Sequence, residues 1–153
     1  MSKTISKKKD ILVFGCGGHA KSCLDIIEQS EGCRVIGFVG RREEIGLNIG
    51  HHTVLTCDEE LSELKCSFHL AFIGIGQMAS PAPRIKLFDF LTSNGHELGT
   101  FQSSSAIISP SAQIGQGTII MHGAIVNASA VIGKNCIINT KALIEHDCEV
   151  GSH

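Results

Sequence analysis

From Ile108 to Val150 an aliphatic residue occupies every sixth position: Ile108, Ile114, Ile120, Val126, Ile132, Ile138, Ile144 and Val150. Four residues after most of these stands a small one, namely Ala112, Thr118, Ala124, Ala130, Cys136, Ala142 and Cys148. A six-residue period matches neither a helix nor a flat strand. It does match a parallel β-helix in which each hexapeptide supplies one side of a triangular coil. Residues three hexapeptides apart then stack, Ile108 with Val126 and Ile144, and Ile114 with Ile132 and Val150, in coils roughly 4.8 Å apart. Eight repeats make little more than two and a half coils. The β-helix is therefore read as incomplete, with no capping element after the last coil.

The earlier residues follow a different pattern. Ile11-Leu12-Val13-Phe14 is a short unbroken apolar run between lysines and glycines, as expected for the centre of a parallel sheet. Gly15-Cys16-Gly17-Gly18-His19-Ala20 then turns the chain into a helix whose apolar face is Ala20, Cys23, Leu24 and Ile27, ending before Gly32. A second strand is predicted over Arg34 to Val39, a short helix over Asp58 to Leu64, and a further buried strand over Leu70 to Gly74. Pro83 opens another helix carrying Ile85, Phe88 and Leu91, closed by Asn94-Gly95. Alternating strands and helices give an α/β, Rossmann-like domain over 8–98. A linker follows over 99–106, with Thr100 to Ser105 as its joint, and the β-helix starts over 107–153.

Composition narrows the function classes. With 153 residues, 42% of them apolar, and a formal charge of -2, the chain reads as a soluble globular protein with no nucleic-acid partner. The basic cluster Lys7-Lys8-Lys9 reads as a solvated lead-in to the first strand. No apolar stretch nears the roughly 20 residues a bilayer span requires, and the polar start Met1-Ser2-Lys3-Thr4 lacks the core of a signal peptide. A cytoplasmic location is expected. Seven cysteines with no Cys-x-x-Cys pair read as a reduced set of small, mostly buried residues, Cys136 and Cys148 among them. His51-His52 cannot both point the same way in a strand, and no metal site is expected.

Two places carry candidate chemistry. At the glycine turn, backbone N–H groups and a helix N-terminus favour an anion such as a phosphate. The turn also fits G-x-G-x-x-A, a form of the dinucleotide fingerprint. The ribose-binding acid expected about 20 residues on is missing from Phe38-Val39-Gly40-Arg41-Arg42. An arginine pair can meet a 2′-phosphate, so an NADP-linked oxidoreductase stays as an alternative, as does a purely structural role in close packing of helix and strand. The second place is His146. The position two past each repeat aliphatic projects outward, and there His146 is flanked by Glu145 and Asp147, the arrangement of a general base with an orienting acid. His122 shares that phase without acids beside it and is the weaker candidate.

Gly15-Cys16-Gly17-Gly18-His19-Ala20-Lys21, then Gly37-Phe38-Val39, then Ile137-Ile138-Asn139-Thr140 leading to Ile144-Glu145-His146-Asp147-Cys148, together resemble the sugar acetyltransferase family of hexapeptide-repeat transferases. That family includes the sialic acid O-acetyltransferases and the UDP-4-amino-sugar N-acetyltransferases of bacterial surface-glycan synthesis. The resemblance covers almost the whole chain. It implies a left-handed β-helix, acetyl-CoA as acetyl donor, and a nucleotide-sugar or sialic-acid-like acceptor. It implies that Gly15, Gly17, Gly18, His19 and Lys21 hold the phosphates or sugar, that Asn139 lies near the acceptor, and that His146 is the base with Glu145 or Asp147 as its partner. It also implies a homotrimer with coenzyme A between neighbouring β-helices. The chain departs from the family at Gly40-Arg41, where a pair of aspartates is common. A second family histidine would fall at position 155, past His153, together with most of the coenzyme A cleft. The chain is accordingly read as C-terminally truncated, and a non-catalytic nucleotide-sugar-binding module is the alternative to an active transferase.

Overall fold

The computed structural model describes residues 8–63 and 67–153. The start Met1 to Thr4, Lys7 of the basic cluster, Leu64 at the end of the predicted short helix and Cys66 lie outside the described residues. The N-terminal unit is a five-stranded sheet of β1 (Lys9–Phe14), β2 (Cys33–Gly40), β3 (Asn48–Ile49), β4 (His52–Cys57) and β5 (Leu70–Ile73), in the order β3-β4-β2-β1-β5. All pairings are parallel except β3 with β4. Helix α1 (Gly18–Ile27) and helix α2 (Ala82–Ser93) cover its two faces.

The unbroken apolar run of β1 is what a strand between two helical layers requires. Ile11 and Val13 pack with Ala20, Cys23, Leu24 and Ile27 of α1, while Leu12 and Phe14 pack with Leu87, Phe88 and Leu91 of α2. The predicted face of α1 is thus the buried one. The face of α2 is shifted: Arg84, Leu87, Phe88 and Leu91 are buried and Ile85 only half so. A charged residue reads as surface from sequence, so Arg84 was not anticipated in the core. Strand β4 was also missed, and the helix predicted from Asp58 is a 3-10 turn over Asp58–Glu63.

The hexapeptides form three parallel three-stranded sheets, one per side of a left-handed β-helix. Ile108, Val126 and Ile144 pair in register, as do Ile114, Ile132 and Val150, which is the stacking the period requires. The third side begins earlier than expected. Phe101–Gln102 (β6), inside the segment read as a joint, already pairs with Ile119–Ile120. Buried Phe101 also packs edge-on against Phe72 at 5.4 Å, and with Ile119 and Met121 it continues the core beneath α1. The two units therefore share apolar packing.

At the corners, Gly117, Gly123, Ser129, Asn135, Lys141 and Asp147 adopt φ between 56° and 75°, one left-handed residue every six. This conformation turns the chain between sides and lets the preceding residue project outward. Cys136 is buried, but Cys148 in the same repeat position is exposed, because in the last coil only one neighbouring coil packs against it. No helix among the described residues is long and apolar enough to cross a membrane.

Candidate functional site

A cleft of about 960 Å³ opens where the C-terminal ends of β1 and β5 meet one corner of the β-helix. In this sheet α1 leads from β1 to β2 on one side of β1, whereas β5 lies on the other. The crevice is thus the topological switch point at which open α/β sheets bind ligands. Gly15, Gly17, Gly18 and His19 form one wall, Gly74, Ile75 and Gly76 the floor, and Cys136 to Asn139 with Gly151 and His153 the β-helix wall.

Gly15 takes φ +100°, and a Cβ there would lie 2.8 Å from a side-chain carbon of Ile75. This glycine makes the turn possible and lets the two loops meet. Gly17 precedes α1 in an extended conformation with no side-chain cap, and the first helical turn carries no acid. Its backbone N–H groups are therefore open to an anion, with the helix dipole in support. A Cβ on Gly17 or Gly18 would meet nothing within 4 Å, so both keep the cleft side of the turn free of bulk.

The side chains around this cradle are shifted by burial and by one another. His19 Nε2 lies 3.3 Å from Cys23 Sγ, and burial, then the charge of Arg84, lowers the affinity of His19 for a proton. The Cys16 thiol is pushed up to about 11, first by burial and then by Glu44. Glu44 accepts a hydrogen bond from the Arg41 backbone N–H at 2.7 Å, which holds its carboxyl below the usual range. Burial raises Asp58, which also lines the cleft.

Of the residues singled out in the sequence, Gly15, Gly17, Gly18, His19 and Asn139 share this cleft. Lys21 is exposed on α1 and lies outside it. Glu145, His146 and Asp147 sit at a different corner, also outside it. There Asp147 occupies the left-handed position, and its Oδ2 lies 2.7 Å from His146 Nδ1, which raises the proton affinity of the imidazole. With Nδ1 donating to the carboxylate, Nε2 is left as the accepting atom. Glu145 instead accepts from Asn127 Nδ2 at 2.9 Å. His122 Nδ1 meets Ser103 Oγ at 2.7 Å.

His52 pairs with Glu28, while His51 is exposed. Among the described residues no group of three or more His, Cys, Asp or Glu side chains is placed to hold a metal. Gly74-Ile75-Gly76 was not among the residues singled out in the sequence, although a second glycine turn after the strand beside β1 is a usable signal. Glu44, Asp58 and His153 carried no such signal, because the chain brings them in from separate loops.

Residues 10–89 match the family model of the PglD N-terminal domain, and residues 105–146 match the bacterial transferase hexapeptide model of six repeats. A comparison with curated proteins finds no match. Among solved structures, the chain is similar to the acetyltransferase domain of PglB from Neisseria gonorrhoeae FA1090, with a TM-score of 0.83 and 25% identity, covering 95% of this chain and 69% of that one. That domain has also been solved in complex with acetyl coenzyme A. It is similar to PerB from Caulobacter crescentus, solved with CoA and GDP-perosamine, at a TM-score of 0.77 and 30% identity, covering 97% of this chain and 67% of that one. WeeI from Acinetobacter baumannii AYE shares the fold, with a TM-score of 0.75 and 23% identity over 92% of this chain and 66% of that one.

Proposed function

The chain belongs to the hexapeptide-repeat sugar acetyltransferases with a PglD-type N-terminal domain, and on that premise we propose that it transfers an acetyl group from acetyl-CoA to an amine or hydroxyl of a nucleotide-activated sugar. PerB, with its CoA and GDP-perosamine, supports a nucleotide sugar as acceptor. The cleft suits that ligand: its volume of about 960 Å³ lies at the upper end for small-molecule sites, and an uncapped helix N-terminus, which favours an anion such as a diphosphate, lines it.

The observation that carries the chemistry is the 2.7 Å contact of His146 Nδ1 with Asp147 Oδ2 on the outer face of the β-helix. The acetyl donor supplies an activated thioester carbonyl. Asp147 fixes the imidazole tautomer and stabilises the imidazolium. His146 Nε2 takes the proton from the acceptor nitrogen or oxygen as that atom bonds to the carbonyl carbon, and returns it to the sulfur as the carbon–sulfur bond breaks. Asn139 stands at the cleft edge to contact the sugar.

His146 and the cleft do not meet within one chain, which favours an assembly of copies in which the base of one chain serves the cleft of its neighbour. The stacked outer column Ile107, Ile125 and Leu143 supports that reading, since Ile107 is 65% and Leu143 54% exposed. A homotrimer packed along this column is the assembly we propose. The same separation is what favours the second reading, a nucleotide-sugar-binding module without transfer.

Free thiol released from acetyl-CoA in the presence of GDP-perosamine or a UDP-4-amino sugar tests the assignment. His146→Ala is expected to slow turnover by about 10²–10⁴-fold. Turnover that survives the substitution would refute the role of His146, and nucleotide-sugar binding without thiol release would establish the binding-module reading.

A further inference from the structure

Beneath the floor of the cleft lies a buried charge, held by carbonyl oxygens. Arg84, on the inner face of α2, is fully buried. Its Nη1 donates to the carbonyls of Ile73 at 3.0 Å and Ile75 at 2.5 Å. Its Nη2 donates to the carbonyl and side-chain oxygens of Asn135 at 3.2 and 2.7 Å. Nε has no partner. Among the described residues no carboxylate forms an ion pair with this guanidinium. Arginine keeps its charge even when desolvated, so neutral carbonyls alone hold the cation.

Two effects reach the cleft. In a trans peptide the C=O and the following N–H point in opposite directions. Because the Ile75 carbonyl is turned down to Arg84, the N–H of Gly76 is turned away from the guanidinium, and Gly76 itself lines the cleft. That N–H donates to no protein group among the described residues. The second effect is the field: in surroundings of low dielectric a buried charge acts over a longer range than in water. His19, in the first turn of α1 on the cleft wall, has its proton affinity lowered first by burial and then by that charge.

We propose that Arg84 is the positioning residue of the anion site: it aims the Gly76 N–H into the cleft, and its unpaired charge is neutralised by the diphosphate of the bound nucleotide sugar without contact between them. This rests on the reading of the cleft as the nucleotide-sugar site. It also accounts for the junction between the two units, since the same guanidinium ties β5 to the β-helix corner at Asn135.

Asn135→Asp tests the proposal by giving Arg84 an internal counter-ion where an amide oxygen already accepts its hydrogen bond. Asn135 has φ +56°, a conformation aspartate also adopts. Binding of UDP and GDP would be measured by titration calorimetry at low and moderate salt, with folding checked by circular dichroism. The folded variant is expected to bind the diphosphates about tenfold more weakly, a loss of about 1.4 kcal/mol, with a shallower salt dependence. A folded variant with wild-type affinity and wild-type salt dependence overturns the proposal. Should that variant not fold, Arg84→Lys decides. It keeps the charge but cannot span the carbonyls of Ile73, Ile75 and Asn135 together, so weaker binding with an unchanged salt dependence is expected, and wild-type affinity overturns the aiming of Gly76. If the wild-type protein binds neither diphosphate, the cleft reading itself falls, and this proposal with it.

Discussion

Gly15 and Gly17 belong to one sequence motif, yet alanine at each should do opposite things. At Gly15 the backbone sits at φ +100°, outside the region open to residues with a side chain, and the new Cβ would lie 2.8 Å from Ile75 Cγ1 and 3.1 Å from its backbone nitrogen. Strain of this kind costs about 1–3 kcal/mol. The side-chain contact is relieved only by pushing the β5 loop away from β1, adding about 1 kcal/mol or more. The sum, about 3 kcal/mol, corresponds to a fall of roughly 6–12 °C in Tm for a chain of this size. At Gly17 the backbone is extended, with φ -77°, and a Cβ would meet nothing within 4 Å. Gly17→Ala should cost less than about 1 kcal/mol, since alanine is only a poorer residue than glycine at the start of a helix. Its methyl group would instead occupy the space through which a diphosphate reaches the N-terminus of α1. Thermal unfolding by circular dichroism and nucleotide titration on the two variants separate these effects. Gly15→Ala should lose stability, and Gly17→Ala should keep it while losing affinity. Equal melting temperatures for the two variants, or intact affinity in Gly17→Ala, would refute the division of labour.

Two more outcomes follow from the outer face of the β-helix. The raised proton affinity of His146 comes first from its hydrogen bond to Asp147 and then from that residue's charge. A base works only when neutral, so turnover should fall as pH drops through the raised value. Asp147→Asn should move this acidic limb to lower pH while reducing the maximal rate, and an unmoved limb in the pH–rate profile would remove Asp147 as the partner. If the column of Ile107, Ile125 and Leu143 joins copies of the chain, Leu143→Lys should convert a trimer to monomers in sedimentation velocity with the circular dichroism spectrum preserved. An unchanged sedimentation coefficient, or a monomeric wild type, would count against that face.

The stacking register of the β-helix was legible because the period is local and every coil repeats it: one aliphatic every six residues decides which residues meet three hexapeptides later. The faces of β1 and α1 were legible for the same reason. Arg84 was not. Its burial depends on carbonyls from β5 and on Asn135, 51 residues further along the chain, and no local pattern marks a lysine or arginine as interior. Cys148 misled in the opposite sense, because a small residue at the buried phase is covered only if coils stack on both sides of it.

The sequence alone determined the coil, the phase at which His146 projects, the glycine turn after β1, and the family these residues resemble. All of these are set by short-range spacing and steric demands. Only the tertiary structure decided which of them come together. Asn139 and Glu145 are one repeat apart, and one repeat turns the chain a third of the way round the triangle, so Asn139 lines the same cleft as the glycine turn while His146 and Asp147 lie outside it. The contacts of the two flanking acids were decided the same way: Asp147 takes the left-handed corner position next to the imidazole, and Glu145 is drawn off by Asn127 from the coil before. Contacts such as these depend on how coils and sheets pack in three dimensions, and hydrophobic period carries no record of them.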